Sequence, residues 1–263
     1  MKLRSPGLVL LACVASLFFL PITLVSQQPV SHARMVRLSY FSGTVAVRGP
    51  GAIRWTKPVA NSPVQEGFEV STAADSCAEV EFENGSTARL GQLSRLAFDQ
   101  LALDAEGHKL NRMTIEEGYA TFHFLPEKHD TYSVKITVAT LAPSGNSRFR
   151  TDLNKGRARV EVFSGSVEVV GPSESTKLGK DRILEYNTGT TEVAFNTKRG
   201  IVKDSWDKWT EARDSQMRQA SKHPAVAAHG QASAWNDYGW KDPNDPRSAS
   251  TRSSASSMSF PRP

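Results

Sequence analysis

The chain has 263 residues, 39% of them hydrophobic and 22% charged, with a formal net charge of +5. That is an ordinary globular balance, with room for one or two cored domains. Its lysines and arginines are scattered among carboxylates rather than gathered into a patch, which argues against nucleic acid as a partner.

Lys2 and Arg4 precede an almost unbroken apolar run from Leu8 to Val25, and Ser31-His32-Ala33 places small residues where a signal peptidase reads. Residues 1–33 are therefore expected to be a signal peptide, cut between Ala33 and Arg34, or, uncut, an N-terminal membrane anchor. The run is just long enough to span a bilayer. Either way the body is expected outside the cytoplasm, with any membrane contact made through this segment alone. After cleavage Cys77 is the one cysteine left, so no internal disulfide is expected and Cys77 reads as a small core residue.

From Met35 short strands alternate with turn residues. FSGTVAVRGP, Phe41 to Pro50, returns as FSGSVEVVGP, Phe163 to Pro172, with a weaker copy in EGYATFHF, Glu117 to Phe124. Alternating valines between Ser-Gly and Gly-Pro mark strands with one buried face, so Val45, Val47, Val167 and Val169 are expected inside. The strongest hairpin is AEVEFENGSTARL. A two-residue Asn84-Gly85 loop would mix apolar and charged faces, because a one-residue slip inverts every side chain. A three-residue loop, Asn84 to Ser86, is expected instead. It sets Phe82 opposite Ala88 and Val80 opposite Leu90, with Glu81, Glu83, Thr87 and Arg89 on a wet face. Further strand pairs are expected around Pro126, a Pro143–Asn146 turn, Asn154-Lys155-Gly156 and Thr188-Gly189.

In order and spacing, SGTVAV, QEGFEVST, AEVEFENGSTARL, EEGYATF and SGNSRFRTD resemble the FecR domain, over roughly Arg37 to Phe195. The resemblance implies an all-β module of exported bacterial proteins. In the iron-transport regulators of that family a cytoplasmic anti-sigma segment precedes the membrane span. Here about six residues precede the apolar run, so the sigma-regulator role is not expected to carry over. The expected fold is all-β: short Gly-punctuated antiparallel strands over 35–195, in two packed layers or a short solenoid-like coil, plus one C-terminal helix.

That helix is read over 202–221, where Trp206, Trp209, Arg213 and Met217 recur at helical spacing, with Asp204 placed to cap it. WDKW, EARD and the later DYGW resemble the C-terminal part of exported FecR-like proteins with Tyr-Gly and Trp-Pro rich tails. Residues 222–263 are rich in Ala, Ser, Pro, Asn and Gly and are expected to be a disordered low-complexity tail.

GxSxG, HExxH, Walker and dinucleotide-binding phrases are all missing, so no catalytic residue, enzyme activity or cofactor is expected. His123 and His129, with Glu127 and Asp130, are the residue types that hold zinc or copper, but they read as a solvated hairpin tip, and no metal is expected. Trp206 and Trp209 are candidate binding residues that more readily dock a helix onto a sheet. Trp235, Tyr238 and Trp240 read as a short docking segment in the tail or as a remnant of the longer family tail. The functional expectation is a non-catalytic envelope module that binds or scaffolds a protein or a cell-surface glycan. The alternative is a membrane-anchored sensor relaying a ligand signal to a membrane partner.

Overall fold

The structure is a computed structural model, and it describes residues 34–189 and 194–222. Thirteen strands form one continuous sheet: β1 (Arg37–Ser42), β2 (Val45–Arg48), β3 (Glu69–Thr72), β4 (Cys77–Glu81), β5 (Thr87–Leu90), β6 (Arg95–Leu103), β7 (Lys109–Phe124), β8 (Thr131–Ile136), β9 (Ala139–Asn154), β10 (Arg157–Val170), β11 (Ser175–Gly179), β12 (Arg182–Asn187) and β13 (Asn196–Arg199). One helix follows, α1 (Ser205–Lys222).

The sheet folds over on itself because its long strands bend. The first part of β7 pairs with β6 and β8, whereas from Gly118 onward it pairs with β5 and β9. Likewise β10 pairs with β12 up to Val162 and with β11 from Ser166. One half of the sheet therefore runs β1-β4-β5-β7-β9-β10-β12-β13, and the other is made by β2, β3, β6, β8, β11 and the remaining ends of β7, β9 and β10. Their inner faces meet in one core, where Phe82 and Phe124 from the first half touch Phe98 and Tyr132 from the second.

The repeated phrase marks these corners. Gly43 in the first copy and Gly165 in the second both have positive φ, +77° and +74°. At each, the chain leaves the first half of the sheet for the second, β1 to β2 and the start of β10 to its end. A side chain is excluded twice over, by the left-handed backbone and by contact: a Cβ on Gly165 would strike the Asn146 carbonyl oxygen. Val45, Val167 and Val169 are buried, and Val47 is half-buried against the core.

Four strand expectations change. Pairing is not wholly antiparallel: β8 runs parallel to the first part of β7, Leu110 opposite Thr131 through Ile115 opposite Ile136. A parallel pair needs a long crossover, and residues 116–130 supply it by way of the other half of the sheet. Pro143–Asn146 is not a hairpin turn but a bend within β9, which continues through it. Strand β12 pairs on its far side with Asn196–Arg199, while Thr190–Val193 lie outside the described residues. The β4–β5 hairpin has a three-residue loop, but over Glu83–Gly85, with Val80 opposite Ala88 and Ala78 opposite Leu90. A shift of two residues leaves every side chain on its expected face. Ser86 sets the register: its hydroxyl accepts the Leu125 N–H at 2.8 Å, and its carbonyl accepts the Phe82 N–H at 2.9 Å.

Gly165→Ala should lower stability by about 3 kcal/mol, combining left-handed strain with a backbone clash. Gly156→Ala, at φ +85° in the open β9–β10 turn with nothing within 4 Å, should cost only about 1 kcal/mol. Urea midpoints at constant m-value measure both. Equal losses would mean that the Gly165 corner imposes nothing beyond backbone strain.

Candidate functional site

The outer face of the first half-sheet carries rows of side chains whose order follows from the strand register. One row runs Tyr40, Glu79, Arg89, Thr121, Arg150 and Glu161 across β1, β4, β5, β7, β9 and β10. A second places Thr87, His123 and Arg148 side by side, and a third Tyr119, Asp152 and Arg159. This is the face expected to be wet. It is not: Thr87 and Arg89 have no exposed surface and Glu79 is 1% exposed, because α1 lies over them.

Helix α1 begins at Ser205 rather than 202, and Asp204 caps it as expected, accepting the Asp207 N–H at 2.9 Å while Asp207 accepts the Asp204 N–H at 3.1 Å. The centre of its buried face is polar, with Asp207, Thr210 and Asp214 at 1%, 0% and 5% exposure. Arg89 donates from Nε to Glu79 at 2.7 Å and from Nη1 to Asp214 at 2.6 Å. Asp214 also meets His123 Nδ1 at 3.1 Å and Arg148 Nε at 3.4 Å. Arg148 donates to the Thr210 hydroxyl and to the Asp207 carbonyl, at 2.6 and 3.0 Å. Arg150 holds Asp204 at 2.8 Å and Asp207 at 3.2 Å, and Arg213 of the helix reaches back to Glu79 at 2.6 Å.

These partners set the proton affinities. Burial alone would push Glu79 and Asp214 up, but Arg89 and Arg213 around the first, and His123 and Arg89 around the second, outweigh it and hold both below the ordinary carboxylate value. Asp207 goes the other way, pushed up by burial with Asp204 adding to it. Cys77, expected in the core, is half-buried on this outer face opposite Ser42, its thiol pushed up by burial.

An aromatic row flanks the charges. Trp206 and Trp209 stack at 4.9 Å and 27°, Tyr119 meets Trp206 edge-on at 5.3 Å, and Tyr40 lies 6.0 Å from Trp209. Arg150 caps the row over Tyr119 and Arg213 over Tyr40, at 4.8 and 5.0 Å. The Trp206 indole donates to the Thr121 hydroxyl at 3.0 Å. Each indole has a ring face taken by the other, and Trp206 has Tyr119 on it as well. The pair sits between α1 and the sheet, half-buried, with the Tyr119 and Tyr40 rings on either side.

Of the other expected site residues, Arg34 is the first described residue and is clamped at once. It donates to Glu83 at 2.5 Å, to Asn111 at 2.8 Å and to the Ala102 carbonyl at 2.9 Å. Ala33, Trp235, Tyr238 and Trp240 lie outside the described residues. His123 and His129 are not brought together: His123 joins the Asp214 network, and the His129 ring lies tilted against that of His108 at 4.9 Å. Asp104, Glu106 and His108 each bring one potential ligand atom within 4.8 Å of the others, in the exposed β6–β7 turn. Asp104 is already engaged there by two backbone N–H groups and the His108 ring. The residues that sequence reasoning missed are Glu79, Arg89, Arg148, Arg150, Asp207 and Asp214. A signal existed in the i, i+3, i+7 spacing of Asp207, Thr210 and Asp214 beside the indoles, and in the alternation of Arg148 and Arg150 on β9.

The class defined by this geometry is a folded-over β-domain with a charge-locked C-terminal helix. Residues 68–168, within the β-domain, match the family model described as FecR protein, and α1 lies beyond the matched stretch. Two crystal structures of a candidate anti-sigma factor from Parabacteroides distasonis ATCC 8503 are similar at TM-scores of 0.42 and 0.43, with 19% and 18% identity. The similarity covers 50% of this chain and 59% of that one. No curated protein matches the chain. Among the described residues no helix is long and apolar enough to cross a membrane.

Arg89→Ala should destabilise the protein by about 3–5 kcal/mol, because it removes the buried cation that Glu79 and Asp214 share under the helix. The triple change Glu79→Met, Arg89→Met and Asp214→Leu should recover most of that loss in urea unfolding. The pH dependence follows from the same pair. Their depressed values mean that their stabilisation is complete above the ordinary carboxylate range and is lost as the pH falls through the folded-state values, whereas Asp207 gains on acidification. Asp204, held low by Arg150, and Glu211, held low by Lys203, add to the first two, so with four groups against one the Trp206–Trp209 fluorescence should shift to the red below about pH 4. A blue shift or no change there would contradict the assignment.

Proposed function

We propose that this chain is a non-catalytic FecR-domain protein of the bacterial cell envelope that works by binding another protein, exported through residues 1–33. The observation that carries this reading is the outer face of the sheet. It is built to hold a protein helix by ordered ion pairs and stacked rings, and its arginines are spent on carboxylates rather than set out for phosphates. A glycan reading is less favoured, since sugars stack on open ring faces and Trp206 and Trp209 each give one ring face to the other. Trp235, Tyr238 and Trp240 would serve as an accessory tether.

One contact favours the sensor alternative. Arg34 is bound to Glu83 in the β4–β5 loop, so a membrane anchor in residues 1–33 would couple directly to the strands that carry the site. Mass spectrometry of the native protein separates the two readings. A mature N-terminus at Arg34, with protein crosslinks from the tail aromatics, supports the exported binding module. An intact N-terminus in the membrane fraction would overturn it in favour of the sensor.

A further inference from the structure

The face beneath α1 has a geometry of its own. Arg89 on β5 and Arg150 on β9 lie in one cross-strand row with Thr121 of β7 between them, so they stand two strand spacings apart, about 9.6 Å. Asp207 and Asp214 are seven residues apart on α1, which is about 10.5 Å of helix. The two repeats match because the helix runs across the strands. Asp207 meets Arg150, Asp214 meets Arg89, and the Thr210 hydroxyl between them meets Arg148. The strip thus reads one pattern: carboxylates at i and i+7 with a hydroxyl at i+3, on a helix laid across the sheet.

Helix α1 satisfies this strip only in part. The Thr87 hydroxyl is wholly buried and makes no hydrogen bond, and neither does Arg150 Nε, on a side chain 12% exposed. Both residues lie on the covered face, Thr87 beside His123 and Arg150 beside Thr121. Two buried polar atoms of that face keep unused hydrogen-bonding capacity. The helix in turn hangs from an edge: β13 is exposed along its whole length, Gly200 follows it at φ +91°, and Val202 is 87% exposed. A helix joined through so slight a connection can leave its seat without disturbing the strands.

We infer that the strip formed by Arg89, Thr121, His123, Arg148 and Arg150 is a docking site for an acidic helix of a partner protein, and that α1 is its built-in competitor. The partner segment carries carboxylates seven residues apart with a hydroxyl or amide between them, so that it reproduces the Asp207 and Asp214 contacts and engages Thr87 as well. This deepens the protein-binding reading by naming its site. Its test involves neither the N-terminus nor the tail, so the two fail separately.

The experiment uses the full chain and a defined probe, a fluorescent peptide with the sequence of residues 203–222. Asp207→Asn with Asp214→Asn loosens the resident helix without changing its shape. This double variant should bind the peptide at least ten-fold more tightly than the unsubstituted chain does, and at least ten-fold more tightly than it binds a scrambled peptide of the same composition. Binding of the scrambled peptide to the same degree, or binding of neither, would overturn the site. Hydrogen exchange on the unsubstituted chain guards against a variant that fails to fold. The α1 amides should exchange at least ten-fold faster than those of β5 and β7. Exchange of α1 only with the whole domain would rule out displacement. A concentration-dependent dimer with exchanged helices would replace the partner with a second copy of this chain.

Discussion

Arg89 carries a full charge with no water against it, and the outer half of the molecule is arranged around that fact. An ion in such a place is tolerable only when its donors are matched, so Glu79 stands opposite on β4 and Asp214 comes down from α1. Each of those carboxylates then needs more than one cation. Glu79 takes Arg213 and the Ser39 hydroxyl, while Asp214 takes His123 and Arg148. The network closes through Thr210 and Asp207 onto Arg150. The helix is the cover that makes the face dry and also supplies half of the charges that let it be dry. The sheet face needs a helix of this charge pattern over it to stay dry.

That dependence explains what was legible from the amino acids and what was not. The alternation in AEVEF and TARL assigned every residue of that hairpin to its correct face, and the repeated Ser-Gly phrase located the corners, because period-two patterning and positive-φ glycines are local properties. The register shift by two residues was not local, since it hangs on Ser86 receiving the Leu125 N–H from another part of the chain. The parallel β7–β8 pair was hidden for the same reason, its crossover being half of a strand that had to bend first. At the site, the indoles drew notice by their size. The charged partners were passed over because a charge facing away from the core normally faces water, and only a second layer arriving from 125 residues further on reverses that.

Stability and specificity separate at this interface. Buried ion pairs of this kind contribute little net stability relative to an apolar seam of the same shape, yet a mismatched partner loses several kcal/mol for each stranded charge. The aromatic row beside them does the opposite: Trp206, Trp209, Tyr119 and Tyr40 bury much area with little selectivity. Adhesion comes from the rings and register from the ions. A helix with the wrong charge spacing could lie against the rings but could not settle onto Arg89 and Arg150.

The same reasoning bears on how such a seat would change state. With α1 lifted and nothing in its place, water would have to enter a strip whose side chains are packed for a dry contact, and Arg89 would keep Glu79 but lose Asp214. With α1 replaced by a segment of the same charge pattern, every buried ion keeps a partner throughout the end states, and the balance between occupants is set by small differences such as the unused Thr87 hydroxyl. A charge-locked seam therefore favours exchange over simple opening. An apolar seam of equal area would show no such preference, because it leaves no charge behind when its cover departs.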